Sequence, residues 1–171
     1  MTRPILNIDE LGDDGWMPWG HGERFEARFG QIAARLGAKK LGYNVTVVPP
    51  GKRAFPHHNH NINEEMFFIL EGSGELRYGE DTHPLCKGDV IACPPGGRET
   101  AHQIINTSDS EELKYLAVST TETPEIAHYP DSGKYGIMLS LPGERRPDGR
   151  PSGLRFFARE QGTLEDYWEG E

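Results

Sequence analysis

The sequence predicts an all-β fold, an antiparallel sandwich or barrel, and three observations carry that prediction. Short runs rich in β-branched and aromatic residues recur at regular spacing through the middle of the chain. Turn formers separate them, with 21 Gly and 13 Pro among 171 residues. One run, Met66-Phe67-Phe68-Ile69-Leu70, is apolar on both faces, as expected of a strand with the barrel interior on one side and a second layer, an added arm or another subunit on the other. A chain of this length forms one domain with a proper core.

Taken in order, the first twenty residues carry Gly, Asp, Trp and Pro without a period and read as an extended arm. Apolar residues alternate over 24–29, which reads as an edge strand; residues 32–36 are either one helical turn or the start of another strand. Residues 41–48 form a strand that stops at Pro49-Pro50-Gly51. Residues 75–78 lie between turns at Gly72-Ser73-Gly74 and Gly79-Glu80-Asp81. Residues 83–86 and 90–93 flank Lys87-Gly88-Asp89, whose Gly permits a hairpin. Residues 102–106 and 113–120 flank a polar loop. Beyond Thr121 the texture changes: 124–134 reads as loop with a single turn around Glu125, 135–141 as one more strand, and 145–151 as a basic, solvated break. The tail at 164–171 carries Tyr167 and Trp168, which are expected to dock on the barrel or across a dimer. No internal repeat is visible, so one barrel unit is expected.

The formal net charge of −9 makes the chain a poor partner for nucleic acid or an anionic membrane. The first ten residues turn acidic at once instead of forming a secretory signal, and no apolar run reaches spanning length, so a cytoplasmic protein is expected. Cys86 and Cys93 lie on successive strands, open to a disulfide or, in a reducing compartment, to service as plain core thiols.

The chemistry concentrates in Pro56-His57-His58-Asn59-His60-Asn61-Ile62-Asn63-Glu64-Glu65. Residues two apart on a strand share a face, so His58 and His60 aim at one point. Asn61-Ile62-Asn63 supplies a turn, and Glu65 comes back from the next strand. His57 and Asn59 then face away from the two imidazoles, and Glu64 faces solvent. His21, His83 and His128 have no partners at matching spacing and read as structural.

This pattern resembles the cupin family. Its first motif is matched by Gly51, His58, His60, Glu65 and Gly72, with one extra residue between Gly51 and His58; its second is matched by Gly88, Pro94, Gly96, His102 and Asn106, with five residues in place of two between Gly96 and His102. The resemblance implies a double-stranded β-helix (a cupin or jelly-roll barrel) of two antiparallel sheets. Residues 1–40 would be an arm with an edge strand, 41–121 the barrel core holding both motifs, and 122–171 an extension packing on the barrel or a dimer partner. It implies His102 as the fourth ligand beside His58, His60 and Glu65, all holding one divalent transition metal. Manganese, iron, nickel, cobalt and zinc all suit such a set. The insertion at 97–101 would alter only the shape of the pocket mouth. The Pro130-Asp131-Ser132-Gly133-Lys134 segment and the acidic-aromatic tail resemble a subgroup of small bacterial cupins, some of them described as sugar-phosphate isomerases.

Phe67 and Ile69 share the parity of Glu65 and are expected to line an apolar pocket near the metal. Lys52, Arg53 and Arg98 lie close to the motif loops, where they would attract an anionic substrate. The functional expectation is a metalloenzyme, of isomerase, decarboxylase, lyase or dioxygenase type, acting on a small oxygenated substrate with the metal as Lewis acid. The alternative is a barrel that binds a sugar-like molecule without turnover. Neither nucleic acid nor membrane is an expected partner; a homodimer is.

Overall fold

A computed structural model describes residues 4–145 and 151–159. The aromatic tail at 164–171 and most of the basic break at 145–151 lie outside the described residues. In chain order the strands are β1 (Trp16–His21), β2 (Phe25–Gln31), β3 (Leu41–Val48), β4 (Asn59–His60), β5 (Glu65–Glu71), β6 (Ser73–Tyr78), β7 (Asp81–Cys86), β8 (Val90–Cys93), β9 (His102–Ile105), β10 (Leu113–Thr120), β11 (Glu125–Tyr129), β12 (Lys134–Arg145) and β13 (Pro151–Arg159). Residues 32–36 resolve as a helical turn, α1 (Ala33–Leu36), closed by Gly37 in the left-handed conformation.

The strands pair antiparallel throughout, in a six-stranded sheet ordered β1-β2-β3-β10-β5-β8, a three-stranded sheet β7-β6-β9 and a four-stranded sheet β13-β12-β11-β4. The first two face each other. Phe67 and Ile69 of β5 and Leu113 and Tyr115 of β10 meet Leu76 of β6, Leu85 of β7 and Ile104 of β9 in one buried cluster. Their strict alternation along each strand is the period of two that places one face inside. Burying each such side chain stabilises the fold by about 1.5–3 kcal/mol. Gly72 must be glycine: its φ is +81°, and a Cβ there would collide with the Glu112 carbonyl oxygen.

The apolar outer face of β5 has its cover within the chain. Leu70 joins Val45, Val47 and Leu116 in a second cluster, capped by Leu6, Ile8 and Trp16 of the N-terminal segment and by Ile32 and Leu36 around α1. The arm is therefore structured over part of its length. Trp16 to His21 pair residue for residue with β2, which places β1 at the sheet edge, where Pro18 costs no ladder hydrogen bond. Trp19 donates its indole N–H to the Ala54 carbonyl at 3.0 Å and packs on Phe29 and Phe55.

A larger departure lies in residues 125–129, which read as loop and form β11. That strand pairs with β12 from Glu125↔Met138 to Tyr129↔Lys134, and with β4 at Ala127↔His60 and His128↔Asn59. Its Glu and His conceal the β pattern, because both are buried polar residues, Glu125 bonded to the distant turn at 61–63 and His128 stacked on Tyr135 of β12. Cys86 and Cys93 are free thiols, one exposed and one buried. No helix among the described residues is long and apolar enough to cross a membrane.

Candidate metal centre

The first motif is held by backbone bonds to the second. His58 and His102 exchange N–H to carbonyl bonds of 3.2 and 2.8 Å, and the Gly96 N–H donates to the His60 carbonyl at 2.8 Å. Asn59, facing away from the two imidazoles and fully buried, donates its side-chain amide to the Gly96 carbonyl at 2.7 Å. Glu65 opens β5 between Cys93 of β8 and Ser119 of β10. Asn106, from the second motif, is structural: its amide donates to the carbonyls of Val48 and Glu111, pinning the loop after β9.

These bonds bring His58, His60 and Glu65 to one point, with His102 hydrogen-bonded to Glu65 beside them. The Glu65 Oε2 lies 2.9 Å from Nε2 of His102, 3.4 Å from Nε2 of His60 and 3.8 Å from Nε2 of His58. One ligand atom each from His58, His60 and Glu65 falls within a 4.8 Å spread. The opposite ring nitrogens face acceptors: Nδ1 of His58 lies 2.9 Å from the Pro56 carbonyl, and Nδ1 of His102 lies 3.1 Å from the Thr100 carbonyl. A carbonyl oxygen can only accept, so His58 carries its proton on Nδ1 and points the Nε2 lone pair inward, whereas His102 also hydrogen-bonds Glu65 through Nε2 at 2.9 Å, a contact that an ion between them would replace. Thr100 belongs to the five-residue insertion, which thus positions His102 as well as shaping the rim. His60 is buried with no hydrogen bond to either ring nitrogen. A buried imidazole left this way requires a partner, and a divalent cation bound by His58, His60, His102 and Glu65 would supply one.

The electrostatics favour ligation by the same groups. Burial, with His102 beside it, pushes His58 down to about 3, so its ring is neutral at physiological pH. Burial alone would raise Glu65, yet the hydrogen bond from His102 and the His60 ring beside it hold it well below the usual carboxylate range. At His60 burial is outweighed by Glu65 and then Glu125, and its pKa is raised. A consequence for stability follows from His58. The unfolded chain takes up a proton there below pH 6.5 and the folded chain does not until about pH 3, so across that window acid favours unfolding. The slope from this group is at most about 1.4 kcal/mol per pH unit. Urea titrations in chelator at pH 7 and pH 4.5 should therefore show His58→Gln gaining on the parent as pH falls; a constant difference would contradict the assignment.

A cavity of about 980 Å³ opens onto His60 and Glu65. Its wall combines the hydroxyls of Ser119, Thr120, Thr121 and Ser140 with Asn63, Glu122 and Glu125, and with the α1 segment carrying Arg35 and Lys39. Two expectations are corrected here. Phe67 and Ile69 do not line it; both are spent on the core, with Phe67 packed against Tyr115 and the His102 ring. Nor do Lys52, Arg53 or Arg98 line it, because their loops sit elsewhere and Lys52 donates to the Glu23 carbonyl at 2.6 Å. The lining cations come instead from α1, where Arg35 is tied to Asp14 at 3.0 Å, and from Lys39 just beyond it.

Sequence reasoning missed two residues of β11. Tyr129 stacks on the His58 ring at 5.9 Å, and Glu125 lies 3.6 Å from Nδ1 of His60. His57 faces away from the site as expected but is buried, 3.7 Å from Asp131, which Arg77 holds at 2.7 Å. The strand has no period-two apolar signal in the sequence, because its inward residues include Glu125 and His128.

Residues 44–119 match the cupin domain family. Over 73 residues the chain is 36% identical to an uncharacterised protein of Methanocaldococcus jannaschii, covering 43% of this chain and only 54% of that protein's length. Among solved structures it is similar to a sugar phosphate isomerase of the cupin superfamily from Silicibacter pomeroyi, with a TM-score of 0.72 and 22% identity over 96% of this chain and 98% of that one. It is also similar to a predicted oxalate decarboxylase of Thermotoga maritima, with a TM-score of 0.57 and 22% identity over 69% of this chain and 99% of that one. Taken with the facing antiparallel sheets, these matches show a double-stranded β-helix fold whose residues 44–119 match the cupin domain.

Proposed function

We propose that this protein is a divalent-metal-dependent enzyme acting on a small oxygenated substrate, a hydroxy acid, keto acid or sugar derivative. The observation that carries the reading is the convergence of three Nε2 atoms on Glu65 at the end of an open cavity. Manganese, iron, nickel, cobalt and zinc all suit three imidazoles and a carboxylate. Bound there, the ion would act as a Lewis acid on a carbonyl or hydroxyl oxygen.

The chain's own residues would do the rest. The hydroxyls of Ser119, Thr121 and Ser140 offer donors and acceptors suited to a polyhydroxylated molecule, and Lys39 offers a cation for an acidic group on it. Isomerase chemistry, which the Silicibacter pomeroyi protein carries in its name, is one member of this class and decarboxylation another. At 22% identity the likeness supports the fold, and the choice of reaction belongs to experiment.

The test is elemental analysis of untagged protein purified without chelator, beside the His58→Ala/His60→Ala double variant. About one equivalent of transition metal per chain in the parent and almost none in the variant is expected. No metal in either, even after reconstitution, would leave a barrel that binds a small molecule without metal chemistry.

A further inference from the structure

We infer that Glu125 is the positioning residue of the metal centre, holding His60 in the tautomer and orientation that present Nε2 to the ion. The inference rests on the metal-site reading above and adds to it a residue from β11, outside the segment that matches the family.

The four site imidazole and carboxylate groups differ in one respect. Nδ1 of His58 and of His102 each meets a backbone carbonyl close by in the chain. Nδ1 of His60 meets none and is buried without a hydrogen bond. Facing it at 3.6 Å is Oε2 of Glu125, a carboxylate only 3% exposed. That separation is slightly beyond hydrogen-bond length, and a closure of a few tenths of an ångström makes the bond. A carboxylate accepts only, and His60 lies between two of them, with Glu65 Oε2 3.4 Å from Nε2; once an ion takes Nε2 the ring proton is left to Nδ1 and Glu125, which makes the ring a stronger donor to the ion than a carbonyl partner does.

Glu125 is itself held in place. Its Oε1 accepts from the Asn61 N–H at 3.0 Å and the Ile62 N–H at 3.4 Å, and its Oε2 accepts from the Asn63 N–H at 2.8 Å and from the Asn63 side-chain amide. Residues 61–63 are the turn between His60 and Glu65. One buried carboxylate therefore clasps the turn joining two ligands and backs the ring of one of them. Burying a carboxylate is costly, and purely structural bracing of a three-residue turn does not require one to face an imidazole. The arrangement also makes the site depend on β11 docking against β4.

The experiment begins with the unmodified chain. Proton–nitrogen NMR on zinc-loaded protein should find the His60 Nδ1–H shifted downfield and slow to exchange, and Glu125→Gln should reduce both; an Nδ1–H unchanged by Glu125→Gln overturns the inference without touching the metal reading. Cobalt(II) affinity is then measured for the parent, Glu125→Gln, His60→Ala and the double variant. Glu125→Gln should weaken cobalt binding by about 10–100-fold. In the His60→Ala background the same change should cost almost nothing, since its route to the ion is gone. A loss of equal size in both backgrounds makes Glu125 a turn brace only and overturns the inference, as does no loss in the parent background. If the parent binds no cobalt, the metal reading fails, an outcome distinct from the equal losses that would overturn the inference alone, and the inference falls with it.

Discussion

Changing Glu65 to Gln is expected to reduce metal affinity by more than the roughly 100-fold that bounds the effect of outer partners, while leaving the barrel folded. Glu65 is the anionic centre of the cluster, within 4 Å of three imidazole nitrogens. It is also the only one of the four carrying negative charge, so its loss removes both a ligand and the charge that offsets the cation's desolvation. The amide is nearly isosteric, so packing beside Cys93 and Ser119 changes little. Cobalt(II) titration checks affinity, and urea denaturation of the chelator-treated protein checks the fold. Retention of affinity within a few-fold would place the metal elsewhere or nowhere.

Ile69→Ala should cost about 2–5 kcal/mol, the range for emptying a well-packed aliphatic site. Ile69 is completely buried in the larger core cluster, between the facing sheets. Its neighbour Leu70 points to the other face, is only partly buried and touches the smaller cluster under the arm. Leu70→Ala should therefore cost distinctly less. Urea midpoints for the two variants in chelator, compared with the parent, give the comparison directly. Equal losses would mean that the arm covers β5 as tightly as the barrel interior does.

The fold was legible because period-two alternation and turn residues are local properties. Phe67, Ile69, Leu113 and Tyr115 announce an inward face wherever they sit, and Gly72 and Gly88 mark reversals that other residues take up at a cost. The ligand candidates were legible for a related reason. His58 and His60 share a face by spacing alone, and Glu65 follows within one turn. His102 entered through the resemblance of its surroundings to a motif.

What the sequence by itself determined, then, was the all-β class, the barrel strands from 41 to 120 and a set of four candidate metal ligands. Only the tertiary structure decided what surrounds them. It turned the arm into the cover of β5, since Leu6, Ile8 and Trp16 gain their meaning from Leu70 and Val47 across the chain. It made residues 125–129 a strand, because the hydrogen bonds that satisfy Glu125 and the strand pairing with β4 come from partners far away in sequence. It moved the cavity wall from Phe67 and Lys52 to Thr120, Lys39 and Glu125. Each of these depends on contacts between residues distant in the chain, where buried polar groups find their partners, and no local pattern records such a pairing.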